Sequence, residues 1–155
     1  MIEKKFLLKH LPVGAKKTEE QIRYFLVIKP SFEIRIQQTN NKYELEFKVK
    51  LPDGSVKLSA TKLPKLIYIF LKLFAVKSIW RDTYFIADHQ NFTLRVYHGL
   101  SEGLIRAEID FENIDQADNF KPDAWLGREI TNSDLSRDSK LVFLSKEKFL
   151  KLLSE

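Results

Sequence analysis

Along "GLIRAEIDFENI" (103–114) the even positions carry Arg106, Glu108, Asp110 and Glu112, and the odd ones Ile105, Ala107, Ile109 and Phe111. That period of two describes a strand with one apolar and one charged face. "FEIRIQQ" (32–38) sets Glu33, Arg35 and Gln37 against Ile34 and Ile36. "YELEFKVKL" (43–51) sets Glu44, Glu46, Lys48 and Lys50 against Leu45, Phe47, Val49 and Leu51. The turn signals "TNNK" and "PDGS" bound these runs, and "VKLSATKL" follows as a further strand. Near the start, Glu3 to Leu8 reads as a short strand with Glu3 and Lys5 on one face. "KKTEEQIRYFLVIKP" offers Thr18 as an N-cap before a short helical turn, then an extended run ended by Pro30. Pro64 opens an amphipathic helix to about Ala75, whose stretch "LIYIFLKLFAV" (66–76) reads as buried. "SIWRDTYFIAD" and "FTLRVYHGL" form a hairpin around His89–Asn91, and "DNFKPDAWLGREIT" a loop or short helical piece. "LSKEKFLKLLSE" closes the chain as a helix capped by Ser145, with Phe149, Leu150 and Leu153 on one side. The fold class is α+β with a mostly antiparallel sheet.

The chain has 155 residues and no repeat or linker, so a single domain over 1–155 is expected. Cysteine is absent, which excludes a disulfide framework, a thiolate metal site and a cysteine nucleophile. "MIEKKFLLKHLP" lacks the apolar core and cleavage site of a secretory signal, so a cytoplasmic location is expected. The apolar stretch 66–76 is interrupted by Lys72 and falls short of the ~20 residues a spanning helix needs; no membrane partner is expected. The net charge of +5 admits a polyanionic partner. It is the sole argument for nucleic acid, and the aromatic-basic motifs of known modules are missing, so nucleic acid is not expected. His10, His89 and His98 show no metal-ligand spacing, and Trp80 and Trp125 read as packing residues. No Walker A loop, G-x-G-x-x-G or G-x-S-x-G occurs.

Charged faces of both signs on at least four strands have two explanations. An antiparallel sheet solvated on one side needs no function to account for them. A closed barrel with a polar, hydrated interior accounts for them equally. Alternation by itself leaves both open.

The order of motifs adds to this. "IEKKFLL" resembles the E-x-E-x-K opening of the CYTH superfamily, the triphosphate tunnel metalloenzymes. "FEIRIQQ" resembles that family's E-x-R-x-R strand, "YELEFKVK" its next lysine-bearing strand, and "AEIDFENI" its E-x-E strand. "FKPDAWLGREIT" is similar to its late P-x-W-x-G-x-E-V-T segment. The resemblance implies a closed or nearly closed antiparallel β-barrel wrapped by a few helices, with a tunnel that takes a triphosphate-containing small molecule. It implies metal-dependent hydrolysis of inorganic tripolyphosphate or a nucleoside triphosphate, with Mg²⁺ or Mn²⁺ as cofactor. The chemistry is coherent: bases neutralise the phosphates, while carboxylates hold a hard cation and an attacking water is placed in line.

Carried over residue by residue, the resemblance makes Lys5, Arg35, Lys48 and Arg81 phosphate ligands. It makes Glu3, Glu108, Asp110 and Glu129 metal ligands, the last three catalytic as well. Arg95, Glu33 and Arg137 are possible additions. The chain also departs from the pattern. Met1 stands at the first Glu of the opening motif, Gln37 at the second Arg of the strand motif, and Ile79 two before Arg81. Ser59 and Thr61 replace carboxylates, Arg95 replaces an acid, and "LSRDS" replaces the late R-Y-x-x-N run. These departures motivate the alternative, a module that binds polyphosphate or nucleotide without turnover. Oligomeric state is left open.

Overall fold

Every period-two segment becomes a strand. The computed structural model describes residues 2–52, 55–87, 89 and 91–155; the turn expected at 52–55 and the hairpin centre at 89–91 lie partly outside the described residues. The strands are β1 (Ile2–Leu8), β2 (Lys16–Ile28), β3 (Phe32–Thr39), β4 (Lys42–Lys50), β5 (Val56–Lys62), β6 (Lys77–Phe85), β7 (Phe92–His98) and β8 (Ile105–Phe111). The helices are α1 (Lys65–Lys72), α2 (Ile114–Asn119), α3 (Asp138–Leu141) and α4 (Lys146–Ser154). The strand order is β1-β8-β7-β6-β2-β3-β4-β5, and the class is α+β with an antiparallel sheet.

The chain falls into two compact units, one running to Glu19 and resuming at Arg81–Glu155, the other Glu20–Trp80. In the first, β1, β8 and β7 turn Phe6, Leu8, Phe92, Leu94, Ala107, Ile109 and Phe111 into one apolar core, joined by Ile86, Ala117 and Leu126. Trp125 packs on Phe92 at 5.7 Å between ring centroids, the packing role its sequence context suggested. Ser145 caps α4 by accepting from the Lys148 N–H at 3.2 Å. Phe149 turns inward while Leu150 is half exposed.

Two sequence expectations change. The Thr18 helical turn does not form; residues 16–28 are one long strand with Gln21, Arg23 and Phe25 buried on alternate positions. The Thr18 hydroxyl instead donates to the Thr83 carbonyl at 3.3 Å. Pairing with β3, from Gln21↔Thr39 to Ile28↔Glu33, outweighs the local preference of a Glu-rich run. The helix after Pro64 forms, but it is not buried. Tyr68 is its buried residue, packed on Tyr43 and Tyr24 at 4.7 and 6.2 Å, while Leu66 remains 78% exposed.

The outer edge of β1 is occupied. The Leu7 N–H donates to the Arg128 carbonyl at 2.9 Å, Gly127 N–H to the Leu7 carbonyl at 2.9 Å, and Ile130 N–H to the Lys5 carbonyl at 2.7 Å. At the other end of the order, every residue of β5 is exposed. Among the described residues no pairing joins β1 to β5, so the expected barrel is not closed by hydrogen bonds. Gly127 is required by this clasp, since a Cβ there would lie 2.3 Å from the Leu7 carbonyl oxygen. Gly127→Ala is expected to cost about 1–3 kcal/mol through the forced backbone shift, read as a lower midpoint of thermal unfolding. An unchanged midpoint would show that the clasp yields freely.

Candidate functional site

Strand register assembles one charged face in the first unit. Glu3 lies opposite Asp110 and Lys5 opposite Glu108 across β1 and β8. Arg95 lies opposite Arg106 across β7 and β8. Because side chains alternate, these residues leave the sheet on the side away from the apolar core. Glu108 is the centre. Its Oε1 accepts from Arg106 Nε at 2.9 Å and also from Nη2, and its Oε2 accepts from Arg95 Nε at 3.3 Å. Lys5 Nζ lies 3.9 Å from Glu108 and 2.9 Å from Glu3, and donates to the Ser136 carbonyl at 2.8 Å. Arg95 is braced by Thr83 Oγ1.

A second carboxylate lies behind this group. Asp138, at the start of α3, accepts from Arg81 Nη1 at 2.6 Å and from the Tyr97 hydroxyl at 2.8 Å, and lies 3.3 Å from Arg106 Nη2. Arg106 also donates to the Leu135 carbonyl at 2.9 Å. Four cations (Lys5, Arg81, Arg95 and Arg106) therefore meet the buried Asp138 and the partly buried Glu108, leaving two positive charges before the more exposed Glu3 is counted. The titration of Glu108 reflects this field. Burial alone would raise its carboxyl, but Arg106, Arg95, Arg81 and Lys5 outweigh burial and hold it at about 2. Asp110 moves the other way, raised by burial and then by the neighbouring Glu108 charge. Burial also pushes the Tyr97 phenol up, so it donates as a neutral hydroxyl.

The second unit holds its own cluster. Arg35 Nε donates to Glu46 at 2.5 Å and Nη1 to Glu33 at 3.1 Å. Lys48 stands opposite Glu33 in the register of β3 and β4. Arg23 donates to Gln37 Oε1 from Nε at 3.0 Å and from Nη2 at 2.6 Å, and lies 3.7 Å from Glu46. Arg23, Arg35, Gln37 and Glu46 are all buried. Arg23 is the cross-strand partner of Gln37, so a guanidinium from β2 stands beside the position where the strand motif lacks its second arginine.

Of the expected residues, Lys5, Arg81, Arg95 and Glu108 converge in the first unit, with Glu3 and Asp110 at the exposed end of the same face. Glu129 is exposed and accepts from the Thr131 hydroxyl at 2.6 Å. Arg137 is exposed and flanks the start of α3. Glu33, Arg35 and Lys48 group in the second unit. Arg106, Tyr97, Asp138, Arg23 and Glu46 were not among the expected site residues. Arg106 was legible as the next same-face position before Glu108, and Arg23 would have been once β2 was read as a strand throughout. His98 belongs elsewhere, its Nε2 lying 3.0 Å from Asp82.

Among the described residues, no three Asp, Glu or His side chains form a group able to hold a metal ion. Both Glu108 oxygens already face guanidinium groups, a poor match for a cation ligand. Glu3 and Asp110, paired across β1 and β8, suit a hard cation better when phosphate oxygens complete its shell.

No protein-family model matches the chain, and no curated protein does. Solved structures do. The inorganic triphosphatase NE1496 is 23% identical, with a TM-score of 0.75 over 94% of this chain and 99% of that one. A second structure, described as the hypothetical protein NE1496, gives a TM-score of 0.73 at 23% identity over 92% and 97% of the two chains. The chain therefore shares the fold of NE1496, in line with the order of motifs along its sequence.

Proposed function

We propose that this protein binds a triphosphate on the charged faces of its strands and hydrolyses a phosphoanhydride bond with the help of a divalent cation. The observation that carries the reading is the excess of cations around Glu108, with Arg106 and Arg81 buried and Lys5 and Arg95 partly so. Fixed positive charge in a low-dielectric site is what a polyanion in transit to a more charged transition state requires. Lys5, Arg81 and Arg95 hold phosphate oxygens in the first unit, and Arg35 and Lys48 do so in the second; arginine forks two oxygens while lysine supplies a compact charge. Arg106 keeps Glu108 ionised and oriented. Glu3 and Asp110, with Glu129 as the further carboxylate, are the residues that would hold Mg²⁺ or Mn²⁺, while Glu108 stays engaged by Arg106 and Arg95. That ion would supply charge neutralisation and orientation of an attacking water. The shared fold of a protein named an inorganic triphosphatase makes tripolyphosphate the first substrate to try, ahead of nucleoside triphosphates.

Purified protein with Mg²⁺ or Mn²⁺ is expected to release phosphate from tripolyphosphate faster than its Glu108→Gln variant. Equal rates for the two proteins would end the hydrolytic reading. The ion pair between Arg95 and Glu108 favours a second reading, binding without turnover, because a cation already occupies the carboxylate. In that case tripolyphosphate alone stabilises the fold by about 2.7 kcal/mol at a hundredfold excess over Kd. The shift vanishes in Arg35→Ala. No metal-free shift in unfolding midpoint would sink this version.

A further inference from the structure

We propose that the outer face of α1 and the turn after it dock reversibly on an anionic lipid surface. This inference stands apart from the triphosphate reading. The helix is inverted relative to an ordinary surface helix. Tyr68 takes the contact with the sheet, and Lys72 Nζ lies 4.9 Å from the centroid of the Tyr24 ring on that same inner side. At ~3.6 residues per turn, Leu66, Ile69, Phe70 and Leu73 fall on the arc opposite Tyr68. Together with Phe74 and Val76 they are 49–78% exposed. Phe70 and Phe74 stack edge to face at 5.3 Å, which joins the helix to the following turn as one apolar surface.

Charge selects the occupant. From Ser55 to Trp80 the chain carries Lys57, Lys62, Lys65, Lys72 and Lys77 and no Asp or Glu. These five lysines are the whole of the net charge, since the other 21 basic residues match the 21 acidic ones. A second copy would pair this surface with itself and set lysines against lysines, with no local acid to answer them. A bilayer with anionic headgroups answers both features. The apolar face enters the boundary between headgroups and acyl chains, and the flanking lysines other than the inward Lys72 meet phosphates and carboxylates. No helix among the described residues is long and apolar enough to cross a membrane, so the mode is lying on the surface.

Flotation of the full chain with vesicles tests the proposal. On vesicles of equal phosphatidylcholine and phosphatidylserine, binding is expected to exceed that on phosphatidylcholine alone by ~tenfold or more and to weaken with salt. Leu66→Glu with Phe70→Glu should abolish it while leaving the unfolding midpoint unchanged, because both side chains project from the fold. Lys62→Gln with Lys65→Gln, which keeps the apolar face, should weaken binding to the anionic vesicles alone. Absence of flotation, or equal flotation on neutral vesicles, overturns the proposal. So does a dimer in sedimentation that Leu66→Glu converts to a monomer without any vesicle binding, which would identify a second copy as the occupant.

Discussion

Replacing Arg106 with methionine is expected to destabilise the protein by about 3–5 kcal/mol, the cost of breaking a buried ionic network from one side. The guanidinium is 2% exposed and serves three acceptors at once, the Glu108 carboxylate, the Asp138 carboxylate and the Leu135 carbonyl. Methionine fills much of the same volume, so the loss is electrostatic and not a cavity. Arg106→Lys keeps the charge but has no planar fork to span Glu108 and Asp138, so it should recover part of the loss. Urea unfolding measures both. An Arg106→Met midpoint equal to that of the parent would mean that Lys5 and Arg81 suffice to neutralise the two carboxylates.

Acid should act on the same cluster through Glu108. Its carboxyl sits at about 2 in the folded chain against an ordinary 4.5, a depression caused by Arg106, Arg95, Arg81 and Lys5 after they overcome burial. A depressed carboxyl stabilises the fold fully above its ordinary value, and the contribution is lost as the pH falls through about 2. The difference corresponds to roughly 3 kcal/mol. Unfolding measured from pH 6 down to about pH 2 should therefore show a decline that Glu108→Gln largely removes. A variant that declines as steeply as the parent would place the acid sensitivity in other carboxylates.

The strands that alternate strictly were legible because two-residue periodicity survives any tertiary arrangement. The ordered motifs gave the fold that NE1496 shares. β2 was misread because Thr18, Glu19 and Glu20 look like a helix start, whereas the pairing that straightens them comes from Asn40, whose Oδ1 accepts from Glu20 N–H at 2.9 Å. For α1, the pattern showed that an apolar face exists but not what it faces; Tyr68, a half-polar residue, took the inner position. The site was legible for Lys5, Arg81 and Glu108 and not for Asp138, whose link to Arg106 spans 32 positions and follows from how α3 packs. The "LSRDS" segment drew attention to Arg137, while its neighbour Asp138 is the residue inside the cluster.

The clasp on β1 also fixes an order of assembly. Both flanks of β1 are supplied from far down the chain: β8, and a segment whose Thr131 hydroxyl accepts from the Lys5 N–H across 126 positions. During synthesis β1 must wait for β8 and then for the segment that reaches Thr131, while the hairpins of residues 20–80 can close as soon as they emerge. Premature truncation before Gly127 would thus leave Ile2–Leu8 as an unprotected template for pairing with other chains.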